Sequence, residues 1–357
     1  MTTTIRTNEP RELLALIPYQ LGFRPRESVV AVSLRGGTRV GLVARVDLAD
    51  LAHPGHGPRV ARSLVGHLLD DGATAMVVVL YTNADLDAAG NQAIARLADA
   101  GEPYLPEPEC WVVGRDGYYA PACRDPQCCP PGGRPLADLE ATRIGAEMVL
   151  LGAPVVDDRA DLARLPRPDE AARRSARRAA KRWTDRARRT GGADALARWR
   201  REGLEVWRGL VEGADPVPPT LGRCQAALDD LLVRDAVLLD LIPGRAGLAD
   251  RVVAGSDGSE ISAALRELVD PNEGVAPPDR VAAAATVLAA VAGHRPRAAV
   301  PAVTLLAMTA WWQGDGARAG VLVERALASD PGYRLAVLLE QTLAAGMPPG
   351  WLREPPG

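Results

Sequence analysis

Phenylalanine and lysine are almost missing from this sequence: Phe23 and Lys181 are the only examples among 357 residues. Arg, Ala, Gly and Pro abound instead, the residues of GC-rich codons, so a high arginine count carries little functional weight by itself. Net charge is small too. A balance of −3 and a pI near 5.9 give the whole molecule no pull towards nucleic acid or acidic lipid. No segment offers the roughly 18–20 uninterrupted apolar residues that crossing a bilayer requires. Met1 to Pro10 carries no signal-peptide apolar region. Five cysteines do not make a disulfide scaffold in a chain this long. The expectation is a cytoplasmic protein with reduced thiols and no membrane partner.

What is present is globular. Hydrophobic residues make up 47% and charged residues 24%, a balance that can bury a core, and the length exceeds what one ordinary core spans, so two domains are expected. Leu13, Leu14, Ile17 and Leu21 share a helical face after Glu9-Pro10, and Gly22 closes that helix. Phe23-Arg24-Pro25 then forces an extended exit. Ser28–Leu34 and Val40–Leu48 flank the short turn Arg35-Gly36-Gly37-Thr38 and predict a hairpin. A helix over 59–70, a buried strand over 74–81, a helix over 85–100 and a strand over 110–113 follow, with Tyr118-Tyr119 behind a turn. Alternating strands and helices predict a mixed, covered sheet.

After Pro154 the strand signals stop. A helix is expected over 137–151 before that point, and only helices beyond it, over 169–189, 194–212, 219–240, 259–269, 278–293, 299–313, 316–329 and 331–345. The fold class is therefore an α/β N-terminal domain with a mixed β-sheet (residues 1–155, with a cysteine-rich loop at 121–135), followed by an all-α domain. A basic helical linker (156–193) leads to that domain (194–347) and to a flexible tail (348–357). Trp311-Trp312-Gln313-Gly314-Asp315 and Ala326-Leu327…Asp330-Pro331-Gly332-Tyr333 make its end look like a tetratricopeptide helical hairpin. Only about one and a half such units are present, where a stable array takes about three.

Cys123, Cys128 and Cys129, with Cys110 upstream, are the most distinctive chemistry. Thiolates ligate zinc, usually four at a time in Cys-x2–4-Cys pairs. Here the spacing is Cys-x4-Cys-Cys, adjacent side chains diverge, and Cys110 has to fold back to complete a set. The alternatives are a redox role, with Arg124 available to lower a thiol pKa, and a proline-locked loop whose thiols only pack. A second cluster, Arg24, Arg26, Glu27, Arg45 and Asp47, sits at strand ends, where open α/β sheets collect ligands; an ordinary ion pair competes with an anion or small-ligand site at Arg24, Arg45 and Asp47. His53 and His56, with His67 eleven residues on, invite a metal reading, but they lie in a glycine-proline loop with no acidic pair placed with them, so a solvated loop is expected.

Between Arg164 and Arg201 stand 14 basic residues against four acidic ones. Arg174, Arg178 and Arg182 form one i,i+4 stripe, and Trp183 and Trp199 supply rings that could stack on bases, so nucleic acid is a candidate partner. Ala172, Ala176, Ala180, Trp183 and Ala187 make an apolar strip on the other side, the pattern of an ordinary surface helix. Phosphate-loop, nucleophile-elbow and His-Glu-x-x-His motifs are absent. Gly255-Ser256-Asp257-Gly258-Ser259-Glu260 imitates a phosphate loop, but Asp257 with Glu260 fits a capping box better.

Leu21-Gly22-Phe23-Arg24-Pro25, Glu27-Ser28-Val29-Val30 and Arg45-Val46-Asp47-Leu48 resemble the front half of the domain of unknown function 4192 family of high-GC bacteria. So do the loop Cys123 to Gly133 and the closing Gly314-Asp315…Ala326-Leu327…Asp330-Pro331-Gly332-Tyr333-Arg334. The resemblance implies one architecture and a bacterial cytoplasmic setting, and it brings no activity. The expectation is a non-catalytic binding or protein-interaction protein. A metal (zinc) or redox protein built on the cysteine loop and a nucleic-acid binder built on the basic helix are the alternatives.

Overall fold

The computed structural model describes residues 9–352 apart from 85, 154, 190, 256–257, 271 and 273, with 258–259 described by their backbone only. The chain divides into two compact units at Leu162/Ala163.

The first unit opens with α1 (Pro10–Leu21), which buries Leu13, Leu14, Leu16, Ile17 and Leu21 and ends on Gly22 in the left-handed region. Two strands follow, β1 (Ser28–Arg35) and β2 (Arg39–Asp47), as the hairpin pattern predicts. A short α2 (Leu48–Ala52) and α3 (Gly57–Asp70) lead to β3 (Ala75–Tyr81). Then come α4 (Ala88–Gly101), β4 (Glu109–Val113) and β5 (Tyr118–Tyr119). The sheet order is β2-β1-β3-β4-β5, with β3 and β4 parallel and the other pairs antiparallel. The crossover through α4 makes that parallel pair possible, since a tight turn cannot.

Strand alternation sorts the two faces. Val29, Ala31, Val78 and Leu80 join Leu64, Val65 and Leu68 of α3 and Ala93 and Leu97 of α4 in one core. Each fully buried aliphatic side chain there contributes about 1.5–3 kcal/mol relative to an exposed one. A smaller cluster joins Ala15 and Leu16 of α1 to Ile144, with Val40 of β2 packed against it. The expected helix over 137–151 is two helices, α5 (Ala137–Glu140) and α6 (Arg143–Leu150). Thr142 breaks it, because its hydroxyl accepts the Gly145 N–H at 3.1 Å and starts a new helix.

Beyond Tyr119 the described residues hold no strand, only isolated bridges at Arg134 and Val156. The second unit is helical: α7 (Glu170–Arg189), α8 (Ala193–Val211), α9 (Pro218–Leu228), α10 (Leu231–Leu241), α11 (Ala246–Val253), α12 (Gly258–Arg266), α13 (Arg280–His294), α14 (Val300–Trp312), α15 (Gly316–Ser329) and α16 (Arg334–Ala344). The helix expected over 219–240 is likewise two. The first ends at Leu228 with Asp229 as its C-cap, and the Asp230 carboxylate caps α10 by accepting the Leu232 and Val233 N–H groups at 3.0 and 3.3 Å.

The basic helix α7 is no free linker. It packs along α9, burying Ala176, Ala179, Ala180 and Trp183. Gly222 of α9 makes this approach possible: a Cβ there would lie 2.1 Å from the Ala176 carbonyl oxygen. The tail is ordered further than expected. Gly350–Leu352 forms a 3-10 turn, Trp351 Nε1 donates to the Trp312 carbonyl at 2.8 Å, and Gly350 N donates to Leu268 O at 2.8 Å. The capping residue Asp257 and positions 353–357 lie outside the described residues.

Candidate functional site

Between β5 and α5 the chain curls back on itself. Asp125-Pro126 is a turn-forming pair. The Asp125 carbonyl accepts the Cys128 and Cys129 N–H groups at 3.1 and 2.8 Å, and its carboxylate accepts Gln127 N–H at 2.9 Å. This turn returns the two adjacent cysteines to Cys123. The three sulfurs lie within 4.8 Å of one another, each half-buried. The divergence expected of neighbouring cysteines is overcome in this turn, where both N–H groups bond the Asp125 carbonyl and both sulfurs stay close to that of Cys123.

The loop is anchored from both sides. Ala120 N–H points at Cys129 Sγ at 3.5 Å. Arg134 pairs backbone to backbone with Tyr118, at 2.9 and 2.8 Å, so its guanidinium hangs over the loop. There Nε donates to the Cys128 carbonyl at 2.5 Å, and Nη2 lies 3.8 Å from Cys128 Sγ. The Tyr118 side chain first, and the Cys128 and Cys129 charges after it, reinforce the arginine's positive charge. A backbone hydrogen bond at Asp125, then one from the Cys129 side chain, hold the Cys123 thiol below its ordinary value; burial foremost pushes the Cys129 thiol up.

Cys110 does not join them. On β4 it pairs with Val78 and packs against the core under α3 and α4, with its sulfur 3.5 Å from the Pro108 carbonyl. Burial, then Glu107 and Glu109, push its thiol up to about 11. Strand alternation is the physical reason: Cys110 faces the helix-covered side. Arg124, proposed from sequence as the cation near the thiols, gives way to Arg134, which adjacency in sequence could not reveal because the β-bridge to Tyr118 brings it there.

The strand-end cluster is also rearranged. Arg45 and Asp47 pair at 2.6 Å, and Arg45 Nη2 lies 3.5 Å from the Arg26 carbonyl. Arg24 instead reaches Asp157 at 3.5 Å, because its N–H bonds the Val156 carbonyl at 2.9 Å and carries it away. Glu27, with φ of 42°, aims its carboxylate at β3, accepting Asn83 N–H at 2.9 Å and the Thr82 hydroxyl at 3.3 Å. Beside it Ser28 and Tyr81 face each other in register. Ser28 Oγ, Tyr81 Oη and Arg45 Nε are buried with no partner among the described residues. Such atoms mark room for ordered water or a small polar ligand.

Residues 10–350 match the family described as Domain of unknown function (DUF4192). The chain belongs to that family. No curated protein and no solved structure matches it.

In this DUF4192 chain the basic helix spends its rings and part of its charge internally. Arg173, Arg174 and Arg177 all turn to Glu170, Lys181 pairs with Asp185, and Arg186 with Glu202. Trp183 and Trp199 pack on each other at 5.8 Å, and the Arg186 guanidinium lies 5.3 Å over the Trp183 ring. Trp199 Nε1 donates to the Trp183 carbonyl at 3.2 Å. Both rings are buried, 8% of Trp183 and 3% of Trp199 being exposed. Of the stripe, Arg178 and Arg182 are exposed and make no ion pair among the described residues.

Proposed function

We propose that this protein binds one thiophilic metal ion, with zinc the expected occupant, through Cys123, Cys128 and Cys129. The observation that carries the reading is the convergence of three sulfurs within 4.8 Å. Thiolates about 2.3 Å from a central zinc stand a little under 4 Å apart, so small side-chain rotations close the set. Three protein ligands leave one coordination position for water or an incoming ligand, unlike the closed four-ligand sites that only hold a fold together. Arg134 offsets part of the negative charge that three thiolates bring to one divalent ion. The helical unit serves as a protein-contact module, with α14 and α15 in the role of a tetratricopeptide-like hairpin. Free, clustered thiols suit the reducing cytoplasm.

Titration with cadmium, followed by thiolate-to-metal charge-transfer absorbance, tests the site. Saturation at one ion per chain, lost in Cys123→Ser and Cys129→Ser but kept in Cys110→Ser, is expected. No saturable absorbance in the reduced wild-type protein sinks the reading.

A second reading rests on Ser28, Arg45 and Tyr81, whose orphaned buried atoms support a small polar ligand at the strand ends. Arg45→Met would then abolish thermal stabilisation by that ligand. A high-resolution structure with only ordered water bridging the three atoms would remove this reading.

A further inference from the structure

The helical unit holds an open concavity of about 580 Å³ between α7, α8 and α9. Its floor is apolar, formed by Ala179, Trp183 and Val206, and its rim is charged. One wall is fixed in advance. Arg186 is clamped by Glu202 through two bonds of 2.5 and 2.6 Å and lies on the Trp183 ring, so it adds shape and little net charge.

The other cations are different. Arg182 from α7 and Arg223 from α9 line the same concavity, are exposed, and make no ion pair among the described residues. A second depression continues along α7 past Arg182 and Asp185 to Arg189, which is exposed and shares the Asp185 carboxylate's field with Lys181. Glu205 is the one carboxylate in the larger concavity not committed to Arg186. With Arg186 and Glu202 offsetting each other, Arg182 and Arg223 against Glu205 leave a positive surplus in a recess of ligand size. Beneath it, Trp183 Nε1 is buried without a partner among the described residues.

We infer that this recess binds a small, multiply charged oxyanion of diphosphate size, held by Arg182 and Arg223 with Arg189 at its margin. Planar guanidiniums suit phosphate and carboxylate oxygens because two N–H groups of one arginine meet two oxygens at once. A nucleic acid strand fits the recess less well. Its bases meet a Trp183 ring already covered by Arg186, and Arg173, Arg174 and Arg177 towards the start of α7 are drawn to Glu170. The site is independent of the cysteine loop.

Calorimetry with inorganic pyrophosphate at constant ionic strength tests this on the full chain. The expected result is saturable 1:1 binding, weakened about tenfold or more by Arg182→Gln and by Arg223→Gln. Arg178→Gln removes an exposed charge of the same helix outside both depressions, so it leaves binding unchanged. Glu205→Gln tightens it severalfold by removing a like charge. Circular dichroism melts confirm that the variants fold. The inference is overturned by absence of saturable binding, or by an equal loss in Arg178→Gln, which would mark a diffuse charge effect. It is equally overturned if a single-stranded oligonucleotide displaces pyrophosphate with an affinity that depends on Arg178.

Discussion

Cys123, Cys128 and Cys129 differ from Cys110 and Cys224 by the side of the fold they face, and chemistry should follow. Burial pushes Cys224 up to about 12, and burial with two glutamates pushes Cys110 up to about 11. At pH 7 a thiol with a pKa near 11 is ionised in roughly one molecule in ten thousand. Iodoacetamide at neutral pH should therefore label Cys123 first, whose pKa is lowered, and spare Cys110 and Cys224 until the chain unfolds. Mass mapping of the labelled peptides checks this; early labelling of Cys110 would contradict its place in the core. Metal affinity should rise with pH across the thiol range, because each ligand must lose its proton before it binds. The thiol trio was legible in the sequence as a cluster but not as a convergence. Its geometry depends on the Asp125 turn and on Arg134, which a β-bridge supplies from beyond the loop.

At the scale of elements, capping residues decided where the sequence reading went astray. Periodic apolar positions run straight through Thr142 and Asp230, so hydrophobic rhythm alone joins α5 to α6 and α9 to α10. The hydrogen bonds of those two side chains divide them. Asp230→Ala should lower stability by about 1–2 kcal/mol, as expected for a lost N-cap, with the Arg200 pair at 3.0 Å lost as well. A change in Tm no larger than that of a surface substitution would show that the cap is not limiting. Gly222 is a packing device of the same scale. Gly222→Ala places a methyl against the Ala176 backbone and should cost about 1–3 kcal/mol by overpacking, measured by denaturant titration. An unchanged midpoint would mean that α7 is held elsewhere. The strip of alanines on α7 was readable in advance; the glycine that receives it belongs to another helix and was not.

Across the whole molecule, the switch from alternating strands and helices to helices alone was the most legible feature. It rests on the period of the apolar residues, which single substitutions hardly disturb. Less legible was what binds the helical unit internally. Asp240, with its side chain 1% exposed, accepts from Arg208 at 2.8 Å and Arg280 at 2.9 Å, residues distant in sequence. Asp240→Ala removes a shared carboxylate, while Arg208 keeps Asp250 at 2.8 Å and Arg280 keeps the residue-240 carbonyl at 3.0 Å. It should cost about 1.5–3 kcal/mol, the range for hydrogen bonds to charged groups; a loss under about 1 kcal/mol would place these charges effectively in water. Metal loading should act on the other unit. Hydrogen exchange of zinc-loaded against chelator-treated protein should show new protection over residues 118–135 and little change over 163–352.

X-ray absorption of the zinc-loaded protein goes straight to the ligand set. Three sulfur neighbours at about 2.3 Å, with one nitrogen or oxygen completing the shell, and the same spectrum from Cys110→Ser, is the predicted result. A shell of nitrogen and oxygen only, or four sulfurs that fall to three in Cys110→Ser, would contradict it.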